Sequence, residues 1–380
     1  GLYGAQSSGA ALVAFNALAY ESYEHKQGDN APVSEYAAFA YTTALNTLLA
    51  SERNYLRIGE MTVVFWAEGA DKDNEDVFGD IFSSENKIIE DAALQGFFEN
   101  VSQGQAFSVK DYLVKPGNKF YILGLSPNAA RISVRFFLVD TFGDFIKNYE
   151  QYFREFEIIK PSFDNRVNVP LWQILQETAN KNSKDKAASP LLAGAVLRSI
   201  LSGIKYPEAL YQNTILRAKA DQDNPDKNIT KISRIKAAII KACLLRNYKN
   251  NEEVVTVALN EECKKVPYVL GRLFAVLEDL QEKANPGINS TIKDRYFNSA
   301  CATPSVTFPL LTKLANTHLK KISAQRGTVI YFEKLIGELM NKLEVENNAM
   351  PARLSLPEQG EFVLGYYHQV QKRFEKKEEK

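Results

Sequence analysis

Apolar positions recur with two different periods along the chain, and the change of period divides it. In the first part "AALVAFN" (Ala10 to Asn16) and "MTVVFWAE" (Met61 to Glu68) are short apolar runs rich in β-branched and aromatic residues, the composition of buried strands. Between them Pro32 and Ser34 supply a helix start, and Ala37, Tyr41, Leu45 and Leu48 recur at helical spacing. A second helical passage is predicted from about Lys87 to Asn100, and the acidic "EGADKDNED" before it reads as a solvated loop. The clearest alternation lies in "KFYILGLSPNAARISVRFFLVD", two apolar runs flanking Ser126-Pro127-Asn128, which predicts an antiparallel hairpin. Strict alternation puts Ile132, Val134, Phe136 and Leu138 on one face and Arg131 and Arg135 together on the other. A helix from about Phe142 to Glu157 follows.

After "KPSFDNRVNVP" the period-two pattern stops. The polar stretch "ETANKNSKDKAASP" marks a linker or exposed loop, and the remainder has helical spacing. Pro207 suits a helix first turn. Leu270, Leu273, Leu277 and Leu280 repeat at 3, 4 and 3; Leu311, Leu314, His318 and Ile322 form a later stripe, and Phe332, Leu335, Leu339 and Leu343 another. The expected class is α+β: a mixed α/β part with an antiparallel hairpin over residues 1–160, a linker over 161–190, and an all-α bundle of five or six helices over 191–380. No solenoid period is visible.

Composition adds a charge asymmetry. The formal net charge is zero, yet residues 1–160 carry 13 basic against 22 acidic side chains and residues 161–380 carry 33 against 24, net −9 and +9. The second part is therefore the one suited to a polyanion. No run approaches the length of a membrane span, and "GLYGAQSSGA" lacks a signal-peptide pattern, so a cytoplasmic location is expected. The opening glycine predicts a fragment of a longer chain. Cys243, Cys263 and Cys301 are too scattered for a disulfide framework or zinc site, and His25, His318 and His368 have no second ligand at metal spacing. There is no phosphate-binding glycine loop, "SSG" near Ser7 is no nucleophile elbow, and no carboxylate pair stands out. The residues point away from an enzyme, and no metal or cofactor is expected.

What remains is basic. On a helix running from Lys231, Lys231, Arg234 and Lys241 would share one narrow face beside the apolar Ile232, Ile235 and Ile239, a geometry able to track phosphates; an ordinary solvated face is the alternative. Lys320, Lys321 and Arg326 stand at the end of a helix, where cations are favoured in any case. Arg131 and Arg135 suit either an ion pair or a nucleic-acid contact. Arg272 and, in "GINSTIKDRYFNSACATP", Lys293 and Arg295 complete the candidate DNA-binding set, with Tyr296 and Phe297 free to pack or stack.

Several strings are more specific than composition. "GAALVAFNALAYESY", "NAPVSEYAAFAYTTALNTLL", "TVVFWAE", "FYILGLSPNAARISVRFF", "LGRLFAVLEDLQEKANPGINSTIKDRYFNSACATPSVTFPLL" and "LSLPEQGEFVLGYYHQ", in that order from about Gly9 to Lys372, resemble the large subunit of the type I-C CRISPR Cascade complex. The resemblance implies a non-catalytic subunit of a crRNA-guided surveillance complex, missing its N-terminal region. It would help recognise the protospacer-adjacent motif, hold the displaced strand of the R-loop and dock a helicase-nuclease, while the guide reads sequence. Implied partners are other Cascade subunits, crRNA and target DNA. The helical part resembles the small Cascade subunit, and Val257 is the candidate start of a separately translated one. The alternative is a purely architectural helical subunit without DNA contact.

Overall fold

The computed structural model describes the chain except residues 1, 3, 6–8, 16, 83–90, 110, 165, 167, 182–188, 225, 227, 228, 250–252, 344–349 and 375–380. It has the expected α+β composition, sheet elements first and helices after. The chain forms two compact units, one of residues 1–152, 170–175 and 187–204, the other of residues 153–169, 176–186 and 205–380. They do not divide at residues 160 and 190. Segments of the expected linker join both units, and the first helix of the expected bundle belongs with the sheet.

In the first unit α1 (Glu35–Ala50) starts where Ser34 accepts a hydrogen bond from the Ala37 amide. Then come β1 (Tyr55–Ile58), β2 (Met61–Ala67), α2 (Lys72–Phe82), α3 (Asp91–Ser102), β3 (Phe107–Val109), β4 (Tyr112–Val114), β5 (Lys119–Asn128), β6 (Arg131–Thr141) and α4 (Phe142–Phe156), whose last turn joins the second unit. β1, β2, β5 and β6 make one antiparallel sheet in that order, and β3 pairs with β4. Phe65 and Phe120 on one sheet face meet Phe78 of α2 and Phe142 and Phe145 of α4, which forms the aromatic core. α5 (Leu171–Thr178) spans the boundary in sequence, and α6 (Pro190–Ser202) packs on β6 and β2, with Gly194 close to Met61 and Arg135.

Four expectations change here. "EGADKDNED" is no solvated loop, because α2 begins at Lys72 and its polar residues pin neighbouring backbone. Glu75 accepts from the Ala67 amide, Asn74 bonds both the amide and the carbonyl of Lys115, and Asp73 accepts from the Leu113 amide. In "AALVAFN" the described residues 10–15 show a parallel bridge from Ala11 to Arg131 in place of a buried strand, and Asn16 lies outside the described residues. Ser126, Pro127 and Asn128 belong to β5, and the hairpin turns at Ala129 and Ala130, with Ala129 at φ 52°. The alternation in β6 also fails midway. Leu125 faces Val134 and Gly124 faces Phe136, so Arg135 is an inserted residue and Val134 and Phe136 lie on opposite faces. Gly124 makes the bulge possible, since a Cβ there would sit 2.6 Å from the Phe136 ring. The second helical passage is seen as α3; the part of it before Asp91, like Ser7 and residues 182–188 of the polar stretch, lies outside the described residues.

The second unit contains α7 (Glu208–Ala220), α8 (Arg234–Tyr248), α9 (Val266–Ala284), α10 (Ile292–Ala302), α11 (Pro304–Lys321), α12 (Arg326–Lys342) and α13 (Leu356–Lys372). α9 is the axis: α10, α11, α12 and α13 all pack on it, while α13 also meets α7 and α8. The three predicted stripes face inward, with Leu270, Leu273, Leu277, Leu280, Leu311, Ile322, Phe332, Leu339 and Leu343 buried. α9 and α13 touch backbone to backbone. A Cβ on Gly271 would lie 2.0 Å from the Phe362 carbonyl oxygen, and one on Gly365 2.0 Å from that of Tyr268. The segment after Gly287 is α10, started by a capping box of Thr291 and Asp294.

Candidate nucleic-acid interface

Half of the predicted cations turn inward. Lys231 lies outside α8, which begins after the cap Ser233, so no helical face joins it to Arg234 and Lys241. It is 1% exposed; its ammonium donates to the carbonyls of Lys219 (2.9 Å) and Asp221 (2.8 Å) and stands 5.6 Å from the Phe297 ring centre. Burial lowers its pKa, against the opposing pull of Asp223, Asp294 and Asp221. Arg234 donates to Asp164 and to the Arg166 carbonyl, each at 2.9 Å. Lys241, 3% exposed, meets the carbonyls of Arg154 (3.3 Å) and Glu155 (3.0 Å) in the last turn of α4, and burial pushes its pKa down to about 8 although Glu157 and Glu155 favour its charge. Arg272 reaches Gln369 and the carbonyls of Asn260 and Glu261, with its pKa lowered by burial.

Lys293 is held by Asp223 at 2.6 Å and Glu278 at 3.6 Å; burial opposes its charge, but Glu278 and Asp223 raise its pKa overall. These five cations hold helix ends and neighbouring carboxylates together; Lys231, Arg234, Lys241 and Arg272 are buried, and Lys293 is half-buried in its ion pairs. A buried cation whose partners are already in place cannot take a phosphate without breaking them. Their neighbours extend the same interior set. Lys236 meets Asp221 at 2.8 Å, and Arg246 meets Glu155 at 2.7 Å and lies over Tyr206.

The exposed cations lie elsewhere. α11 contains no acid, and Lys313, Thr317 and Lys320 fall within about 60° of one another around its axis, all exposed. Lys321 is exposed beside them and donates to Asn285 at 2.5 Å. After four residues Arg326 opens α12, also exposed, with Ile330 and Tyr331 exposed one turn on. Arg295 is exposed on α10, while Phe297 is fully buried against Phe274, Phe362 and Tyr366, so of the aromatic pair this ring packs. In the first unit Arg131 stacks 5.3 Å over Tyr20 and donates to its hydroxyl at 3.2 Å, and Arg135 sits at the bulge beneath α6. An open cleft of about 700 Å³ beside α2 carries mixed charge, and its Asp71 is satisfied by Lys115 and Asn118.

Against known families, the model of the CRISPR-associated protein family Cas_Csd1 matches residues 1–374. The chain belongs to that family. No curated protein matches it. Membership makes it a CRISPR-associated Cascade subunit, in line with the resemblance carried by the sequence strings. Among the described residues no helix is long and apolar enough to cross a membrane, and no group of three or more His, Cys, Asp and Glu side chains is placed to hold a metal.

For a Cas_Csd1 chain the exposed cationic surface is the informative one; Lys313 was missed by periodicity, and Arg326, expected at a helix end, opens α12. A plain signal for them exists. Residues 295–332 contain no Asp or Glu, the longest such run in the chain. A surface without acids leaves its cations unneutralised, whereas the basic helix α8 is ringed by acids from distant segments.

Proposed function

We propose that this chain is the non-catalytic large subunit of a type I-C crRNA-guided surveillance complex, and that its helical unit binds nucleic acid through the exposed cations of α11 and the start of α12. The observation that carries the reading is the acid-free run 295–332, which brings Lys313, Lys320, Lys321 and Arg326 to the surface without neighbouring carboxylates of their own segment. Charge of this kind follows a phosphate backbone with little sequence reading, which suits the displaced strand of an R-loop. Contributions to recognition of the protospacer-adjacent motif and to recruitment of a helicase-nuclease belong to the same reading and rest on the family resemblance. Partners are then other Cascade subunits, crRNA and target DNA in a prokaryotic cytoplasm.

One observation favours the architectural alternative. Val306 and Leu310 on α11 and Ile330 on α12 are exposed apolar side chains near the cations, the composition of a subunit contact. The two readings separate on salt. Lys320→Glu, Lys321→Glu and Arg326→Glu together should lower the log–log salt slope of target binding by the assembled complex by about two to three units. An unchanged slope in a fully assembled complex removes this surface from the DNA. Lys231→Glu is the contrasting variant: it should unfold the helical unit locally instead of changing the slope alone, because its ammonium holds two interior carbonyls.

A further inference from the structure

We propose that one end of the sheet in the first unit is a stacking site for unpaired bases of single-stranded nucleic acid. Residues paired across strands share a face, so Trp66 of β2, its partner Tyr121 of β5, and Val139 of β6 opposite Tyr121 all point one way. Phe137 joins them, since it stands opposite Leu123, two residues from Tyr121. This is the face away from Phe65, Phe120 and the helices α2 and α4. On this face Thr62, Val64 and Leu125 of the inner strands are buried, while along the edge strand β6 Val134 is 52%, Phe137 54% and Val139 49% exposed.

The rings there are arranged for a planar ligand. Trp66 and Tyr121 are parallel to within 6° with centres 5.2 Å apart, and Trp66 and Phe137 to within 24° at 6.1 Å. Trp66 is thus the middle ring of three, and the stack ends in the exposed Phe137. Most core pairs meet more steeply, Phe65–Phe78 at 51° and Phe120–Phe142 at 64°, although Phe65–Phe120 is itself near parallel at 21°; what sets the Trp66 stack apart is that it ends in an exposed ring. A nucleobase continues a parallel stack as a further ring, and exposed aromatics on the strands of a four-stranded antiparallel sheet with helices behind it hold two or three bases in this way.

A cation stands at the edge of the stack. Lys119 lies two residues from Tyr121 in β5, on the same face, exposed and without an ion pair among the described residues. The nearest acid along β6, Asp140, pairs with Phe120 and so falls on the opposite face, while the exposed Glu68 follows directly on the Ala67–Phe120 pair beside Lys119. A cation at the edge of a ring stack meets the phosphate of the stacked nucleotide, whereas an apolar protein segment would leave Lys119 unmatched. The site is independent of the helical surface proposed above, and it lies in the acidic part of the chain, where charge counting points away from nucleic acid.

The chain holds two tryptophans, Trp66 and the half-exposed Trp172, so a Trp172→Phe chain reports on Trp66 alone. Oligo-dT and oligo-U of about a dozen nucleotides, the size range of one stacking groove, are titrated against its emission, with a duplex of equal length beside them. Single strands should quench Trp66 and the duplex should not. Phe137→Ala should weaken the quenching titration about tenfold, Phe137→Tyr should restore it, and Lys119→Glu should weaken it and flatten its salt dependence. Stronger quenching by oligo-U assigns the site to guide RNA, and by oligo-dT to the displaced strand. The proposal falls if no single strand quenches, if the duplex quenches equally, or if Phe137→Ala, shown folded by circular dichroism, titrates like its parent. It falls also if purified partner subunits without nucleic acid bury Trp66, seen as a blue shift that single strands cannot reverse. Lys320→Glu should leave the quenching intact, so loss of the helical surface and loss of this site are distinguishable.

Discussion

Glu361, 6% exposed in α13, carries the most testable single charge in the helical unit. Burial, reinforced by Glu358 and partly offset by Lys265, pushes its pKa up to about 7 from the ordinary 4.5. A carboxyl whose folded pKa is raised favours the folded state while protonated, so its contribution is present in full below about 4.5 and is lost as pH rises through about 7. Between pH 5 and 8 the difference in urea unfolding free energy between Glu361→Gln and the parent should change by about 2 kcal/mol in favour of the variant. A difference independent of pH would mean that the carboxyl is solvated. At this scale the sequence was a partial guide. The inward leucines of α9 were legible because one-sided burial leaves a period. The inward cations were not, because their partners are remote: Arg234 bonds Asp164, 70 residues away, and Lys241 the Glu155 carbonyl, 86 away. Lys231, Arg234 and Lys241 have the spacing of a phosphate-tracking face and the surroundings of a core.

Two helices are set by glycine in a way that helix propensity alone would misjudge. Alanine normally stabilises a helix interior over glycine by about 1 kcal/mol, and Gly337 in α12, with nothing within 4 Å of an added Cβ, should follow that rule. At Gly271 and Gly365 the added carbon would meet the carbonyl oxygen of the facing helix at 2.0 Å, and backbone cannot rotate away as a side chain can. Gly271→Ala should therefore lower the stability of the helical unit by about 3 kcal/mol or more, while Gly337→Ala raises it by up to about 1 kcal/mol. Thermal melts of the two variants test the pair, and equal shifts would deny the close crossing of α9 and α13. The elements most legible in advance were those with long one-sided stripes, α9, α11 and α12. α2 hid behind acids that serve as hydrogen-bond acceptors at its first turn, and β6 hid its change of face because a bulge leaves the residue alternation of the sequence untouched.

Across the whole molecule the charge asymmetry of −9 and +9 divides differently once burial is considered. Much of the excess base of the second part neutralises acids within its own unit, among them Asp164, Asp221, Asp223, Glu155 and Glu278, so the surface available to a polyanion is smaller than the net charge suggests and is concentrated on α10 to α12. The same interior pairing bears on a small subunit starting at Val257. Residues 257–380 would keep α9 to α13 and the glycine crossing, together with Arg295, Lys313, Lys320, Lys321 and Arg326. They would lose α7 and α8, against which α13 buries Gly360 beside Tyr211 and Ile240, and they would lose Asp223, the closest partner of Lys293. α13 is buried almost all round in the intact unit, so the fragment exposes an apolar helix face. Purified residues 257–380 should therefore bind a hydrophobic dye such as ANS and self-associate in light scattering, while the full chain does neither under the same conditions. Retaining α8 by starting the fragment at residue 229 should suppress both effects in large part. A monomeric, dye-silent fragment from Val257 would show that α9 to α13 close their core without α7 and α8, and that the buried cations of α8 serve the intact chain alone.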